Sequence, residues 1–434
     1  MADEILDSLR GVVGPANLLT GVDLSRYVID GRTPMAAVFP NTVEEVSAVL
    51  ALASDAAMPV TPWGGGTAVS VGAPPARPGI VLGLRRMDGL LEHEPGDLTA
   101  TAQAGMTMQA LQAALGARGQ WLSLDPSDAG VATLGGVLSA NASGPRRHLY
   151  GTARDLLIGV TVVCADGSVI HGGGKVVKNV AGYDLPKLFI GAFGSLGVIV
   201  EATVKLRPRA DQERLVAARF GCLKDCGLAA RAVMASDLIP SALDLLDSES
   251  LALLGLDGDR PALVVGFDGL PEQVAWQRAE LARLAADGGG ELTDLPEEAW
   301  ATLAAAARQP LLDAAALMRF SVLPARVAEV IERAGTTARA LGLRAAFSAH
   351  AGVGAVSGAL GGGAADRVVS ALRDWRDAAH AAGGHAVVEA APLAVKEVLS
   401  VWDQPGAAFR IMQRIKSQLD PKGILNPGRF VGGL

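Results

Sequence analysis

The stretch Thr61-Pro-Trp-Gly-Gly-Gly-Thr-Ala-Val-Ser-Val-Gly72 constrains this chain more than any other. Gly64, Gly65 and Gly66 lack a Cβ, so the backbone there is free to turn its N–H groups toward one point. Such a run forms an anion-binding concavity, and the Thr67 hydroxyl adds a donor. The extended run Met58–Pro62 leads into it. Read alone, the triplet is either a phosphate cradle or a plain glycine-rich turn.

The surrounding pattern is α/β in grain. Ala36–Phe39, Ile80–Leu84 and Thr99–Ala104 read as strands. Thr42-x-x-Glu45 is a capping box. With Val43, Val46 and Leu50 on one face, it predicts a helix to about Ala57. Thr107 caps a helix through Leu115. Leu124–Ser127 and Thr133–Pro145 form a second loop system of glycines and small residues. Such a stretch either lies close against a flat ligand or packs on itself. A third block, Gly182–Leu188, continues into Gly191–Ile199 and a strand to Leu206. The Gly-x-Gly-x-x-Gly of dinucleotide Rossmann units is absent from the sequence.

Beyond Arg209 a β/α alternation resumes and runs to about Glu389, implying an α+β layer. With 50% hydrophobic and 19% charged residues the chain is folded and core-rich. A net charge of −7 argues against a nucleic-acid partner. The acidic start Met1-Ala-Asp-Glu4 is unlike a secretory signal, and no apolar run of about 18 residues predicts a membrane span. Cys164, Cys222 and Cys226 are too few for an iron–sulfur cluster within this chain and fit a reducing compartment.

Pro62–Thr67, Thr133–Gly136 with Asn141–Gly144, and Gly182–Leu185 with Gly194–Ile199 follow one another in an order that resembles the FAD-binding domain of the vanillyl-alcohol-oxidase superfamily, the PCMH-type FAD-linked oxidases. Leu419–Arg429 is similar to that family's closing segment. Within the superfamily, Ser143–Arg147 and Lys178–Leu185 are most similar to the smaller flavoprotein subunits of bacterial glycolate oxidases. The likeness is dense over about residues 30–210 and at the C-terminus, and weak between.

The resemblance implies an α+β fold in three parts. These are a two-part PCMH-type FAD-binding domain (1–210), an α+β ferredoxin-like cap domain (211–404) and a C-terminal segment (405–434) returning to the FAD domain. It implies that Trp63, Gly64, Gly65, Gly66 and Thr67 hold the FAD diphosphate. Thr133, Gly135, Gly136, Ser139, Ser143 and Gly144 line the flavin and ribityl chain. Val198 and Ile199 lie near the adenosine half, and Asn426 returns to the flavin. Pro62, Ala68, Pro126, Ser127, Asn141 and Gly197 complete the cofactor-binding set. Thr67–Ser70 offers no His or Cys for a covalent link, so the FAD is expected to be non-covalent; His148 and His171 are read as ordinary histidines.

Catalytic residues are not identified by this reading; the candidates are Arg146, His350, His385 and Glu389. Arg146, like Arg147 and Lys178, is either a donor near the flavin or a surface ion-pair partner. Asp184 reads as a turn former. Catalytic glycolate-oxidase subunits and D-lactate dehydrogenases are similar in carrying His-x-Gly-Asp-Gly-Asn-x-His; Ala349–Val356 keeps its first His as His350 but lacks the Asp, the Asn and the second His. A metal would need His350, His385 and Glu389 to converge, and none is expected.

The implied function is an FAD-binding subunit that transfers electrons as a 2-hydroxy acid, glycolate or D-lactate, is oxidised to the 2-oxo acid. Its implied partners are a catalytic glycolate-oxidase-type flavoprotein subunit and an iron–sulfur subunit. The expected location is the cytoplasm, at the inner face of the membrane through that complex. Alternatives are a stand-alone FAD dehydrogenase of a 2-hydroxy acid or alcohol, and a scaffold subunit with structural FAD.

Overall fold

The Thr42 capping box forms as read. Thr42 Oγ1 accepts the Glu45 N–H at 3.2 Å, and Glu45 Oε2 accepts the Asn41 N–H at 2.6 Å. The helix it starts, Val43–Asp55, buries Val46, Val49, Leu50 and Ala53 in one core with Val60, Ile80 and Leu82. The structure, a computed structural model, describes residues 2–174, 183–256 and 258–434. Lys178 and the start of the third sequence block, to Gly182, lie outside these.

Strands β1 (Leu18–Leu19), β2 (Ala36–Val38), β3 (Val60–Trp63) and β4 (Ile80–Gly83) form a sheet in the order β1-β2-β4-β3. β2 and β3 both run parallel to β4. The glycine triplet therefore leaves the carboxyl end of a parallel strand, where α/β sheets present ligands. Next in the chain come β5 (Leu90–Glu94), β6 (Thr99–Gln103), β7 (Gln120–Trp121), β8 (Leu157–Val163), β9 (Val169–Gly173), β10 (Val198–Lys205) and β11 (Arg207–Pro208). Five of them make an antiparallel sheet, β5-β6-β10-β8-β9, while β7 pairs with β11.

The small-residue block holds a helix where the sequence reads as loop. Thr133 Oγ1 accepts the Gly136 N–H at 3.3 Å and starts Leu134–Ala140. A Cβ on Gly135 would come 2.6 Å from the Ala104 Cβ, so this helix lies flat on the chain leaving β6.

Strands β12 (Gln212–Arg219), β13 (Ala242–Leu246), β14 (Ala262–Gly269) and β15 (Glu291–Leu295) lie in the order β15-β12-β14-β13. Strands β16 (Ala314–Ser321), β17 (Arg344–His350), β18 (Ala355–Gly361) and β19 (His385–Ala390) lie in the order β17-β18-β16-β19. Each set, with its two long helices, is a βαββαβ ferredoxin-like unit. The pairing of β13 with β17, Asp244 opposite His350, joins them into one eight-stranded sheet. The cap is thus two such units where the sequence implies one.

The C-terminal segment crosses back to the first sheet. Val60 donates its N–H to the Ile424 carbonyl at 2.8 Å, and Asn426 donates to the Val60 carbonyl at 2.9 Å. Lys416, in the helix Phe409–Leu419, locks this crossing. Its Nζ donates to Asp420 Oδ2 (2.6 Å) and to the carbonyls of Ser195 (2.8 Å) and Leu425 (2.9 Å). Asp420 in turn accepts the N–H groups of Ile424 and Leu425. No helix among the described residues is long and apolar enough to cross a membrane.

Replacing Lys416 by Met leaves the buried Asp420 carboxylate without its cation. Breaking one side of a buried pair costs about 3–5 kcal/mol. The Lys416→Met protein is expected to unfold at a correspondingly lower urea midpoint; an unchanged midpoint would mean that the clamp does not hold the crossing.

Candidate functional site

Of the three cradle glycines only Gly66 takes a positive φ, +80°. The other two are required by close approach. A Cβ on Gly64 would come 2.1 Å from Thr133 Oγ1, and one on Gly65 would come 1.9 Å from the Val131 carbonyl oxygen. The cradle is pressed onto the residues that start the Leu134–Ala140 helix. The backbone N–H groups of Gly64, Gly65, Gly66 and Thr67 donate to no acceptor among the described residues.

The carbonyls of the following loop are taken by cations from distant parts of the chain. Arg308 donates to Thr67 O, Lys396 to Ser70 O and Gly72 O, and Arg429 to the carbonyls of Val69, Val71 and Ala73. Lys396 also holds both Asp30 oxygens, at 2.8 and 2.9 Å. Burial pulls the pKa values of Lys396 and Arg429 down, and Asp30 opposes that. The loop's acceptors are spent while the cradle's donors stay open.

Those donors border a cleft of about 670 Å³ between Pro62, Gly64–Ala68, the helix face at Gly136 and Ser139, and Asn426. Phe193, Trp402 and Phe430 pack together on its wall. Through Thr67, Gly136 and Phe193 it meets a second cavity of about 640 Å³. Pro126, Ser127 and Ser143 wall that cavity on one side, and Arg308, Arg319 and Glu389 of the cap on the other. A third, of about 360 Å³, lies against Trp63, Thr133, Gly135, Gly197, Val198 and Ile199. Two residues of the expected set lie off these walls. Asn141 ends the helix, exposed and left-handed (φ 49°). Gly144 sits under Asp125, where a Cβ would meet the Asp125 carbonyl oxygen at 1.9 Å.

Among the described residues, Ser143 Oγ and Asn426 Oδ1 are buried on these walls without a hydrogen-bond partner. Buried polar atoms are normally paired, so both point to a bound group. With the open N–H run they suit a phosphate and the polar edge of a flat ring, and FAD fits this donor set. Among the described residues, no His or Cys lines the three cavities.

The four catalytic candidates separate. Arg146 is not at the cleft. It ion-pairs with Glu213, stands 4.0 Å from Asp125, and lies 3.8 Å from the Trp300 ring centroid. It joins the cap to the layer beneath. His350 is buried, with Nδ1 2.9 Å from Asp244 Oδ1. His385 is 81% exposed and stands 3.7 Å from Asp403. In the sheet His350 pairs with Ala355, Ala355 with Ser321, and Ser321 with His385. Three strand spacings, about 14 Å, therefore separate the two imidazoles. The convergence of His350, His385 and Glu389 does not occur.

Glu389 alone of the four lines a cavity, where its Oε1 lies 2.7 Å from Arg319 Nε. Arg319 and Arg308 were not picked out in the sequence. Their one signal is a cation set in an apolar run, as in Ala314-Ala-Ala-Leu-Met-Arg-Phe-Ser321. His171 bonds Thr161 at 3.1 Å, and Asp184 pairs with Lys187. The His148 ring packs on Gly352, where a Cβ would come 2.3 Å from it, and burial lowers its pKa. Burial also lowers the pKa of Arg147, and nearby Arg319 adds to that.

Asp125 accepts the Arg146 N–H at 3.1 Å, while its Oδ1 is buried without a partner among the described residues. Burial pushes its pKa to about 6, against the pull of Arg146. A folded-state pKa above the unfolded one means that the native state holds the proton more tightly. The stability this contributes is present at low pH and is lost as pH rises toward 6. Asp125→Asn removes that term. The thermal midpoint of the wild type, relative to the variant, is expected to fall between pH 4.5 and pH 7. Equal pH slopes would contradict the assignment.

Comparison with known proteins agrees with this geometry. Residues 34–173 match the FAD binding domain family, and residues 209–430 match the C-terminal domain of FAD linked oxidases. The chain is 29% identical to glycolate oxidase subunit GlcD of Bacillus subtilis over 92% of its length and 89% of that protein's. It is 31% identical to a D-lactate dehydrogenase of Archaeoglobus fulgidus over 90% of each chain. A crystal structure of p-cresol methylhydroxylase with substrate bound shares the fold, with a TM-score of 0.79 over 98% of this chain and 96% of that one, at 18% identity. This chain belongs to the FAD-linked oxidases, and it is an oxidoreductase with FAD as its cofactor.

Proposed function

We propose that this chain is the FAD-holding subunit, of the smaller flavoprotein type, in a complex that oxidises a 2-hydroxy acid such as glycolate or D-lactate. A catalytic glycolate-oxidase-type flavoprotein subunit and an iron–sulfur subunit complete the complex. One observation carries the reading: among the described residues, the cap wall of the second cavity offers Arg308, Arg319 and Glu389 and no imidazole. The names of the relatives support the substrate class. The three cysteines are free, which fits a reducing compartment. We place the chain in the cytoplasm, reaching the inner face of the membrane only through its partners.

Bound FAD supplies the two-electron redox chemistry. The protein's share is placement. The cradle N–H groups would hold the diphosphate, and Ser143 and Asn426 would hold the polar ring edge. Arg319 presents a fork suited to a carboxylate. Arg308 is spent on Thr67, and Glu389 is already committed to Arg319. No uncommitted base therefore stands on that wall to take a hydroxyl proton. Acid–base help contributes about 10²–10⁴-fold, and its lack makes the isolated chain slow. A stand-alone dehydrogenase is the second reading. It is favoured by the same Arg319–Glu389 pair, should substrate carboxylate displace Glu389 and free it as base.

Dye-coupled turnover of the FAD-loaded chain with glycolate and with D-lactate separates these. Little or no turnover is expected alone, with activity appearing when the partner subunits are co-expressed. Turnover on the order of 1–10 s⁻¹ in isolation, the ordinary enzyme range, would establish the second reading. Gly65→Val drives a side chain into the Val131 carbonyl and should abolish FAD retention while the cap stays folded. Acid should release FAD intact from the wild type. Full flavin content in the variant would place the diphosphate elsewhere, and flavin retained by precipitated protein would mean a covalent link.

A further inference from the structure

We propose that a separate cavity beside the first sheet binds a small molecule bearing a carboxylate or phosphate. It holds about 260 Å³ between the turn at Gly31–Pro34 and the loop 75–79. That is near the small end of ligand sites, about 300 Å³. Pro34, Pro59, Pro75, Pro78 and Pro427 stand in its wall. Proline has a fixed φ and no N–H, so this wall is preformed and cannot close on itself through backbone hydrogen bonds. Tyr27, Ile80 and Val81 supply apolar surface.

Two guanidiniums, Arg32 and Arg77, also line this cavity. Both residues are exposed, and neither side chain has an ion pair or hydrogen bond among the described residues. The carboxylate on the same turn is not available to Arg32, because Lys396 holds both Asp30 oxygens. Arg32 is also held in place. Ile29 and Arg32 exchange backbone hydrogen bonds of 3.0 and 2.8 Å, across Asp30 and Gly31 at φ 48° and 76°. The third arginine on the wall, Arg429, is held by the carbonyls of Val69, Val71 and Ala73. Two uncommitted forks over a rigid apolar pocket, in a chain of net charge −7, match a planar or tetrahedral oxyanion. Thr61 and Arg429 border both this cavity and the cofactor cleft. A ligand here rests on the strand and clamp that carry the cradle. The inference does not depend on the proposed redox role.

Calorimetric titration of the FAD-loaded protein at low salt, with inorganic phosphate and separately with benzoate, tests this. Saturable binding of at least one probe is expected, with no change in the flavin spectrum. The Arg32→Gln/Arg77→Gln double variant should bind it about tenfold or more weakly, as loss of charged hydrogen bonds predicts. Its FAD content and its ligand-free thermal midpoint should be unchanged. Arg118→Gln, at an exposed arginine elsewhere, should bind as the wild type does. The proposal is overturned if neither probe binds saturably, or if the double variant binds as tightly as the wild type. It is also overturned if Arg118→Gln weakens binding as much, or if binding perturbs the flavin spectrum independently of Arg32 and Arg77. Phosphate without benzoate would assign the site to phosphoryl groups, and the reverse to carboxylates on apolar bodies.

Discussion

Everything at the cleft depends on three cations that take the backbone oxygens of one short loop. Arg308, Lys396 and Arg429 come from the second half of the chain and meet at residues 67–73. A buried ammonium is costly unless its donors are filled. Lys396, its side chain wholly buried, reaches both oxygens of Asp30 and the carbonyls of Ser70 and Gly72. These bonds offset its desolvation and fix the loop's acceptors on the side away from the cleft. The N–H groups that precede the loop keep no internal partner. An anion site is made here by occupying acceptors as much as by presenting donors.

Close packing of small residues does the rest. Thr133 caps the Leu134–Ala140 helix with its hydroxyl, and the same oxygen blocks any Cβ on Gly64. Gly65 meets the Val131 carbonyl, and Gly135 meets Ala104. Cradle, cap residue and helix form one tight unit, so displacement of any part moves the others. The cap lies across this unit and is tied to it by Arg146 between Glu213 and Trp300, by Arg308 on Thr67, and by Lys396 on Asp30, Ser70 and Gly72. The second cavity is therefore walled by both halves, and its charged groups come from the cap.

What could be read in the sequence was local. The Thr42 box, the strand ending at the triplet and the two glycine-rich blocks carry their signals within a few residues. The doubled cap did not, because β15 is a polar edge strand and β18 is built of Ala, Gly, Ser and Leu with one Val. Neither shows the apolar alternation that marks a half-buried strand. Lys396 and Asp30 lie 366 residues apart, and neither alone reports the other. His350 and His385 read as potential partners only until strand register sets them about 14 Å apart. Arg146, next to a glycine-rich loop, reads equally as a donor near the flavin or an ion-pair partner; in the fold it pairs with Glu213 and lies on Trp300. Side-chain direction, unlike element type, is decided by tertiary packing.

The central claim is that the unpartnered N–H groups of Gly64–Thr67 receive the FAD diphosphate. Amide hydrogen exchange on the flavin-stripped and the FAD-reconstituted protein measures this at those four residues. The account predicts fast exchange in the stripped protein and strong protection on reconstitution, centred on Gly64–Thr67. Equal exchange in the two forms, with protection appearing elsewhere, would contradict it.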